Sequence, residues 1–282
     1  MQIAKNKKKH WEIRSAALEK ISKKKYLLDI IKKENNKKIV EFTNEKIKVL
    51  NGSSVQLEKL SNHSKFWRIR RSAVKNIIDQ KALSYIAQND EDWEVRCAAV
   101  SNKSFKDQKI LGKIIDNDEN LFVCLATINN ITDQKLILKI EKQNSSPWIR
   151  GAILDKIISQ KLLEDIALND KDSHVRLKAI ELISNPKILI DVALNDDDNS
   201  VRRYAIENKN FIDQNVLKEI VLNDKDYFVI EDALKKIFNQ KLLMEIVKKT
   251  SINKFLKVVR GGEAIRLVSA KMLYQGLQIK LF

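Results

Sequence analysis

The stretch NDKDSHVRLKAI, from Asn169 to Ile180, decides how this chain folds, because it does not occur once. Its frame is Asn-Asp-x-Asp, two residues, Val, Arg, two more residues and Ala. The frame returns as NDEDWEVRCAAV from Asn89 and as NDDDNSVRRYAI from Asn195. Worn copies that keep the acidic turn and lose the Arg stand at Asn117 (NDENLFVCLATI) and Asn223 (NDKDYFVIEDAL). Followed outward, the Arg position runs through Arg14, Val40, Arg70, Arg96, Cys124, Arg150, Arg176, Arg202, Ile230 and Arg260, at intervals of 26 to 30 residues.

A period of that size marks a solenoid, whose units cannot bury their apolar faces alone and gain stability by stacking on their neighbours. Hydrophobic residues make up 44% of the 282 residues, enough for a continuous core, while six Gly and two Pro leave little material for hairpins or flexible linkers. The expected fold class is all-α, an α-solenoid superhelix of about ten short two-helix repeats. Residues 1–282 read as a single array: basic N-terminal repeats over 1–60, regular repeats over 61–240 and a basic capping region over 241–282.

Each unit offers two helix starts. Asp92, Ser146, Asp172, Asp198 and Asp226 stand where a first helix needs an N-cap to accept from its exposed amides. A second series, Asp79-Gln80, Asp107-Gln108, Asp133-Gln134, Ser159-Gln160, Asp213-Gln214 and Asn239-Gln240, starts the second helices. These carry apolar pairs one turn apart, such as Leu162, Leu163, Ile166 and Ala167, or Leu242, Leu243, Ile246 and Val247, which form one buried face. Three residues after the Arg position stand Ala17, Ala73, Ala99, Ala179, Ala205 and Ala233, small enough for close helix approach. Gly261-Gly262 reads as a helix boundary before Glu263.

With Asp90 and Arg96, Asp170 and Arg176, and Asp196 and Arg202 each six residues apart, the chain resembles the HEAT-like repeat family in its short form. The resemblance implies a hydrogen-bonded Asp–Arg ladder between consecutive units, giving Asp90, Arg96, Arg150, Asp170, Arg176, Asp196 and Arg202 a structural duty. Cys124 and Ile230 interrupt it, so looser or bent junctions are expected there. The units are also similar to leucine-rich variant repeats. The iron–sulfur cluster of some such proteins needs clustered thiolates, whereas Cys97 and Cys124 occupy different repeat phases and read as small buried apolar residues.

The net charge of +16 is concentrated at the ends: residues 1–60 carry 16 basic and 7 acidic side chains, 61–240 carry 28 of each, and 241–282 carry 9 and 2. That is not the distribution of a uniformly cationic nucleic-acid coat. From unit to unit a lysine follows the second-helix start at Lys81, Lys109, Lys135, Lys161, Lys187 and Lys241, where the helix dipole mildly opposes it, with Asn215 as the exception. One turn on, Lys113 and Lys139 extend the row early in the chain, whereas Asp165, Asp191, Glu219 and Glu245 occupy that phase later and are expected to pair within their helices. A basic stripe over Lys81, Lys109, Lys113, Lys135 and Lys139 remains. In HEAT-like arrays the second helices line the concave face, so the resemblance implies that the stripe looks into the groove. Next to it, Trp67, Arg68 and Arg71 offer a stacking and phosphate-contact patch, set against a reading in which Trp11, Trp67, Trp93 and Trp148 cap the core edge.

Catalytic patterns are scarce. His10, His63 and His174 are the only histidines, and none is followed by Glu or placed at ligand spacing, unlike the His-Glu pairs of HEAT-repeat metal hydroxylases. Phosphate-binding glycine loops and nucleophile elbows are missing too. Alkylpurine DNA glycosylases and tetrapyrrole lyases share similar units, but nearly every Asp here is taken by a cap or turn. No cofactor is expected. Two free cysteines, a basic N-terminus without an apolar region behind it and no apolar run long enough for a membrane span point to a cytoplasmic protein. The expected function is a non-catalytic scaffold for a protein or acidic peptide, with nucleic-acid binding along the same stripe as the alternative.

Overall fold

The computed structural model describes residues 10–249, with only the backbone of Val247. Arg260, Gly261, Gly262, Glu263 and most of the basic C-terminal region lie outside the described residues. Among those described there are eighteen α-helices, one short 3-10 turn and no strand, arranged as consecutive helix pairs in contact. The expected all-α fold of short stacked repeats, an α-solenoid, is what forms.

The helices fall into two compact units, divided after Asn144. In the first unit the helices are α1 (Trp11–Glu19), α2 (Lys24–Lys33), α3 (Lys37–Asn51), α4 (Ser54–His63), α5 (Trp67–Val74), α6 (Gln80–Asn89), α7 (Trp93–Val100), α8 (Gln108–Asn117), α9 (Leu121–Asn130) and α10 (Gln134–Gln143). In the second they are α11 (Pro147–Ile153), closed by the 3-10 turn Leu154–Lys156, then α12 (Gln160–Asn169), α13 (Ser173–Leu182), α14 (Pro186–Asn195), α15 (Asn199–Glu207), α16 (Gln214–Asn223), α17 (Tyr227–Lys236) and α18 (Gln240–Lys249). The division falls where a rung of the Arg–Asp series would need Arg at 124 and Asp at 144 and finds Cys124 and Asn144.

Capping sets the helix starts. Asp79 accepts from the Ala82 amide at 2.8 Å, Asp133 from Lys135 at 2.8 Å and Asp213 from Asn215 at 2.9 Å. First helices start the same way at Asp92, Asp172, Asp198 and Asp226. Ser146 departs from the expected cap: its side chain makes no capping bond, and Pro147 at the first helical position supplies a preset φ instead. Between first helices the small-residue row lets the backbones close up; Ala73, Ala99, Ala179, Ala205 and Ala233 are fully buried, with Thr127 in the same place in α9, while Ala17 is half-buried.

The irregular intervals have local causes. The 28-residue steps from Arg96 and from Arg202 add two residues between first and second helix, Lys103-Ser104 and Lys209-Asn210. There Asn102 and Asn208 fold the longer loop by accepting from Ser104 N at 2.8 Å and Asn210 N at 2.9 Å, and Phe105 and Phe211 plug the core. The 30-residue step after Val40 is taken up by α3, which is 15 residues long.

Candidate functional site

Where the Arg position is kept on both sides, the acidic turn is a junction of four bonds. In the first unit, Arg70 donates through Nε and Nη2 to the two carboxylate oxygens of Asp90, at 2.8 and 3.0 Å. Asp90 also accepts from the Asp92 amide at 2.9 Å, and its carbonyl accepts from Arg96 Nη1 at 2.8 Å. Arg96 then reaches forward to Asp118 at 2.7 and 3.0 Å. The second unit repeats the scheme through Arg150–Asp170, Arg176–Asp196 and Arg202–Asp224. An Asp at this place holds its own turn and the previous repeat with one carboxylate, and these charges are largely buried, so they are committed to the fold. At the first interruption Cys124 Sγ lies 3.4 Å from the carbonyl of Asp118, where an Arg would have put Nη1. Arg14, in the earliest rung, pairs with Glu34 instead of an Asp.

Two further polar series went unread in the sequence. Gln80, Gln108, Gln160 and Gln214 mark second-helix starts, but their amides also bridge to the next repeat: Gln108 donates to the Asn130 carbonyl at 3.1 Å and accepts from Thr132 N at 2.8 Å. Gln214 does the same with the Lys236 carbonyl and Phe238 N. Asn102, Asn130 and Asn208 donate backward to carbonyls that end the preceding first helix, and Lys236 Nζ takes that role in α17. The recurrence of Gln at one phase was the available signal.

The lysines stand apart from the ladder. Lys81 on α6, Lys109 and Lys113 on α8 and Lys135 on α10 are exposed and form no ion pair among the described residues. Lys139 is different, because its Nζ lies 3.0 Å from Asp116 Oδ2 of α8. Gly112 of α8 faces Leu136 of α10: a Cβ there would stand 2.9 Å from Leu136 Cδ1, so a larger residue would make that side chain shift. Tyr85 and Leu138 are exposed on the same helices as the lysines.

In the second unit the expected intrahelical pairs do not form. Asp165 accepts from Asn169 at 2.8 Å, Asp191 from Asn195 at 2.6 Å, and Glu245 pairs with Lys218 of α16 at 2.9 Å. The shorter amides of Asn169 and Asn195 reach Asp165 and Asp191 with less side-chain ordering than Lys161 or Lys187 would need. The carboxylates still sit beside those lysines and offset their charge.

The aromatic patch is mostly internal. Arg68 and Arg71 lie over the Trp67 ring at 4.2 and 4.9 Å from its centroid, and both turn to Glu19, at 3.4 and 2.6 Å. Arg71 also pairs with Glu94. These two cations therefore tie α1, α5 and α7 together. Trp11 packs with Phe42 and Phe66 at 5.5 and 5.3 Å, as a core-edge cap. Trp93 rests on Phe122 and Trp148 on His174, both more exposed.

Cys124 is buried and Cys97 half-buried, against the expectation that both lie in the core; burial, then the neighbouring Asp118, pushes both thiols up to about 11. Among the described residues no three His, Cys, Asp or Glu side chains are grouped to hold a metal ion, and no helix is long and apolar enough to cross a membrane. Set against protein-family models and against curated proteins, the chain finds no match in either.

Proposed function

We propose that this HEAT-like chain is a non-catalytic cytoplasmic scaffold that binds an acidic protein segment along the second helices of its first unit. The observation that carries the reading is the row Lys81, Lys109, Lys113 and Lys135, exposed and without ion pairs on three consecutive second helices, while carboxylates stand beside the corresponding lysines of the second unit. A row of like charges without partners raises the local field and speeds encounter with a partner of opposite sign. Tyr85 and Leu138 on the same helices add apolar contact area of the kind protein interfaces use.

Nucleic acid is the weaker reading, because Arg68 and Arg71, the planar cations best suited to phosphate, are held by Glu19 and Glu94. Fluorescence anisotropy of the full chain with a labelled Glu/Leu-rich peptide and with labelled duplex and single-stranded oligonucleotides, each at two salt concentrations, separates them. Saturable peptide binding, lost when the four lysines are replaced by Glu, is the expected result. Preferential oligonucleotide binding with a steep salt dependence, or peptide binding indifferent to the replacements, overturns the proposal.

A further inference from the structure

The two residues added after Arg96 and after Arg202 build the same cleft twice, once in each unit. Asn102-Lys103-Ser104-Phe105 and Asn208-Lys209-Asn210-Phe211 share one loop. Asn102 Nδ2 donates to the carbonyls of Val74 and Ile77, each at 2.8 Å, and Asn208 Nδ2 to those of Ile180 and Ile183 at 2.8 and 3.3 Å. Each Asn ties its loop to the end of the preceding first helix. Beside the tie lies an open cleft, of about 400 Å³ at the ends of α5 and α7 and about 440 Å³ at those of α13 and α15.

The linings differ at matching positions. Where the first cleft has Lys75, Ala98 and Ser101, the second has Glu181, Tyr204 and Glu207. A helix C-terminus carries partial negative charge and favours a cation, which accounts for Lys75. Glu181 and Glu207 stand against that field, within the last two residues of α13 and α15. Lys178 lies 3.1 Å from Glu181 but is shared with Asp155, also at 3.1 Å, and Glu207 forms no ion pair among the described residues. Arg203 turns to Asp232 at 2.6 Å, and Lys236 Nζ is spent on the carbonyls of Ile206 and Asn208. Among the described residues Lys209 is the one cation lining the cleft.

The floor is apolar, with Ile180 and Ile183 buried and Leu182 half-buried, and the Tyr204 ring is 44% exposed. An aliphatic stem with a planar cationic head suits such a groove. The stem covers the apolar floor, the head meets the two carboxylates, and a guanidinium stacks on the tyrosine ring. We propose that the groove between the ends of α13 and α15 docks a partner-protein segment presenting an arginine beside an aliphatic residue, held by Glu181, Glu207 and Tyr204. This surface is independent of the lysine row of the first unit and of the acidic partner proposed for it.

Fluorescence anisotropy of the full chain with a labelled Gly-Leu-Arg-Leu-Gly peptide, and with the same peptide carrying Gln for Arg, tests it. Glu181→Lys with Glu207→Ser, and separately Tyr204→Ala, give the second cleft what the first already holds at those positions, so the fold should tolerate them. Saturable one-to-one binding of the Arg peptide is expected. It should be about tenfold weaker or more for the Gln peptide and for the double variant, and about threefold weaker for Tyr204→Ala. Absence of saturable binding, equal affinity for the two peptides, or affinity unchanged in the double variant overturns the proposal. The comparison of peptides uses the wild-type chain, so it decides the matter even where a variant fails to fold. Sedimentation velocity covers the other occupant: a wild-type dimer that the double variant dissociates assigns the groove to a second copy and overturns the proposal.

Discussion

Arg176 and Asp196 stand 20 residues apart in sequence and meet through two parallel bonds, Nε at 2.7 Å and Nη2 at 2.8 Å, while the third arm of the same guanidinium holds the Asp170 carbonyl at 2.8 Å. One side chain therefore closes its own turn and grips the next. The side chains are 13% and 6% exposed, so neither charge can fall back on water.

Arg176→Ala leaves Asp196 buried without its partner, and the expected loss is about 3 kcal/mol of unfolding free energy, read from urea titration. Replacing both, Arg176→Met with Asp196→Asn, should recover part of that loss, since no buried charge is then unpaired. A single replacement that costs under about 0.5 kcal/mol shows that the rung is solvated in solution.

The gap at Cys124 gives a prediction of opposite sign for one and two changes. Cys124→Arg alone puts a guanidinium where residue 144 has no carboxylate, and should destabilise by at least about 2 kcal/mol. Cys124→Arg with Asn144→Asp supplies both ends of the missing rung. A positive coupling energy between the two changes in a double-mutant cycle is the expected outcome, and strict additivity refutes it.

Both thiols are held near 11, first by burial and next by Asp118, so at pH 8 each is almost entirely protonated. Alkylation of the native chain by iodoacetamide at pH 8 should be slow at both sites and fast after denaturation, as the thiolate is the nucleophile. Rapid modification of native Cys97, the half-buried one, contradicts this assignment.

At Asp198 burial opposes ionisation, yet the amides of Ser200 and Val201 and the Ser173 side chain hold the carboxyl below its ordinary value. Asp226 behaves likewise, with Asn199 Nδ2 at 2.6 Å as its strongest helper. A carboxyl held below its unfolded value stabilises fully above that value and stops doing so as the pH falls through the folded one. Stability of the wild-type chain should therefore drop as the pH falls below the ordinary carboxylate range. Asp226→Asn should flatten that drop while costing little at pH 7, since Asn also caps. Circular dichroism melts across the acid range give the comparison.

The Asp and Arg positions of the repeat, the caps at Asp79, Asp107 and Asp213 and the alanine row were legible in the sequence because each depends on spacing along one or two helices. The loop insertions at Lys103-Ser104 and Lys209-Asn210 were visible only as irregular intervals. Gln108 and Gln214 were visible as punctuation and not as bridges, since their acceptors belong to the following repeat.

The sequence by itself determined that this is an all-helical repeat protein, because a period of 26 to 30 residues with fixed caps admits few other folds. Which charges remain available was decided only in three dimensions. Arg68, Arg71 and Lys139 are consumed by Glu19, Glu94 and Asp116, whereas Lys81, Lys109, Lys113 and Lys135 form no ion pair among the described residues. Ion pairing depends on distances of a few ångströms between residues as far apart in sequence as 23 and 52 positions. Helical periodicity fixes the face a side chain occupies, but the packing of one helix on another sets what it meets there.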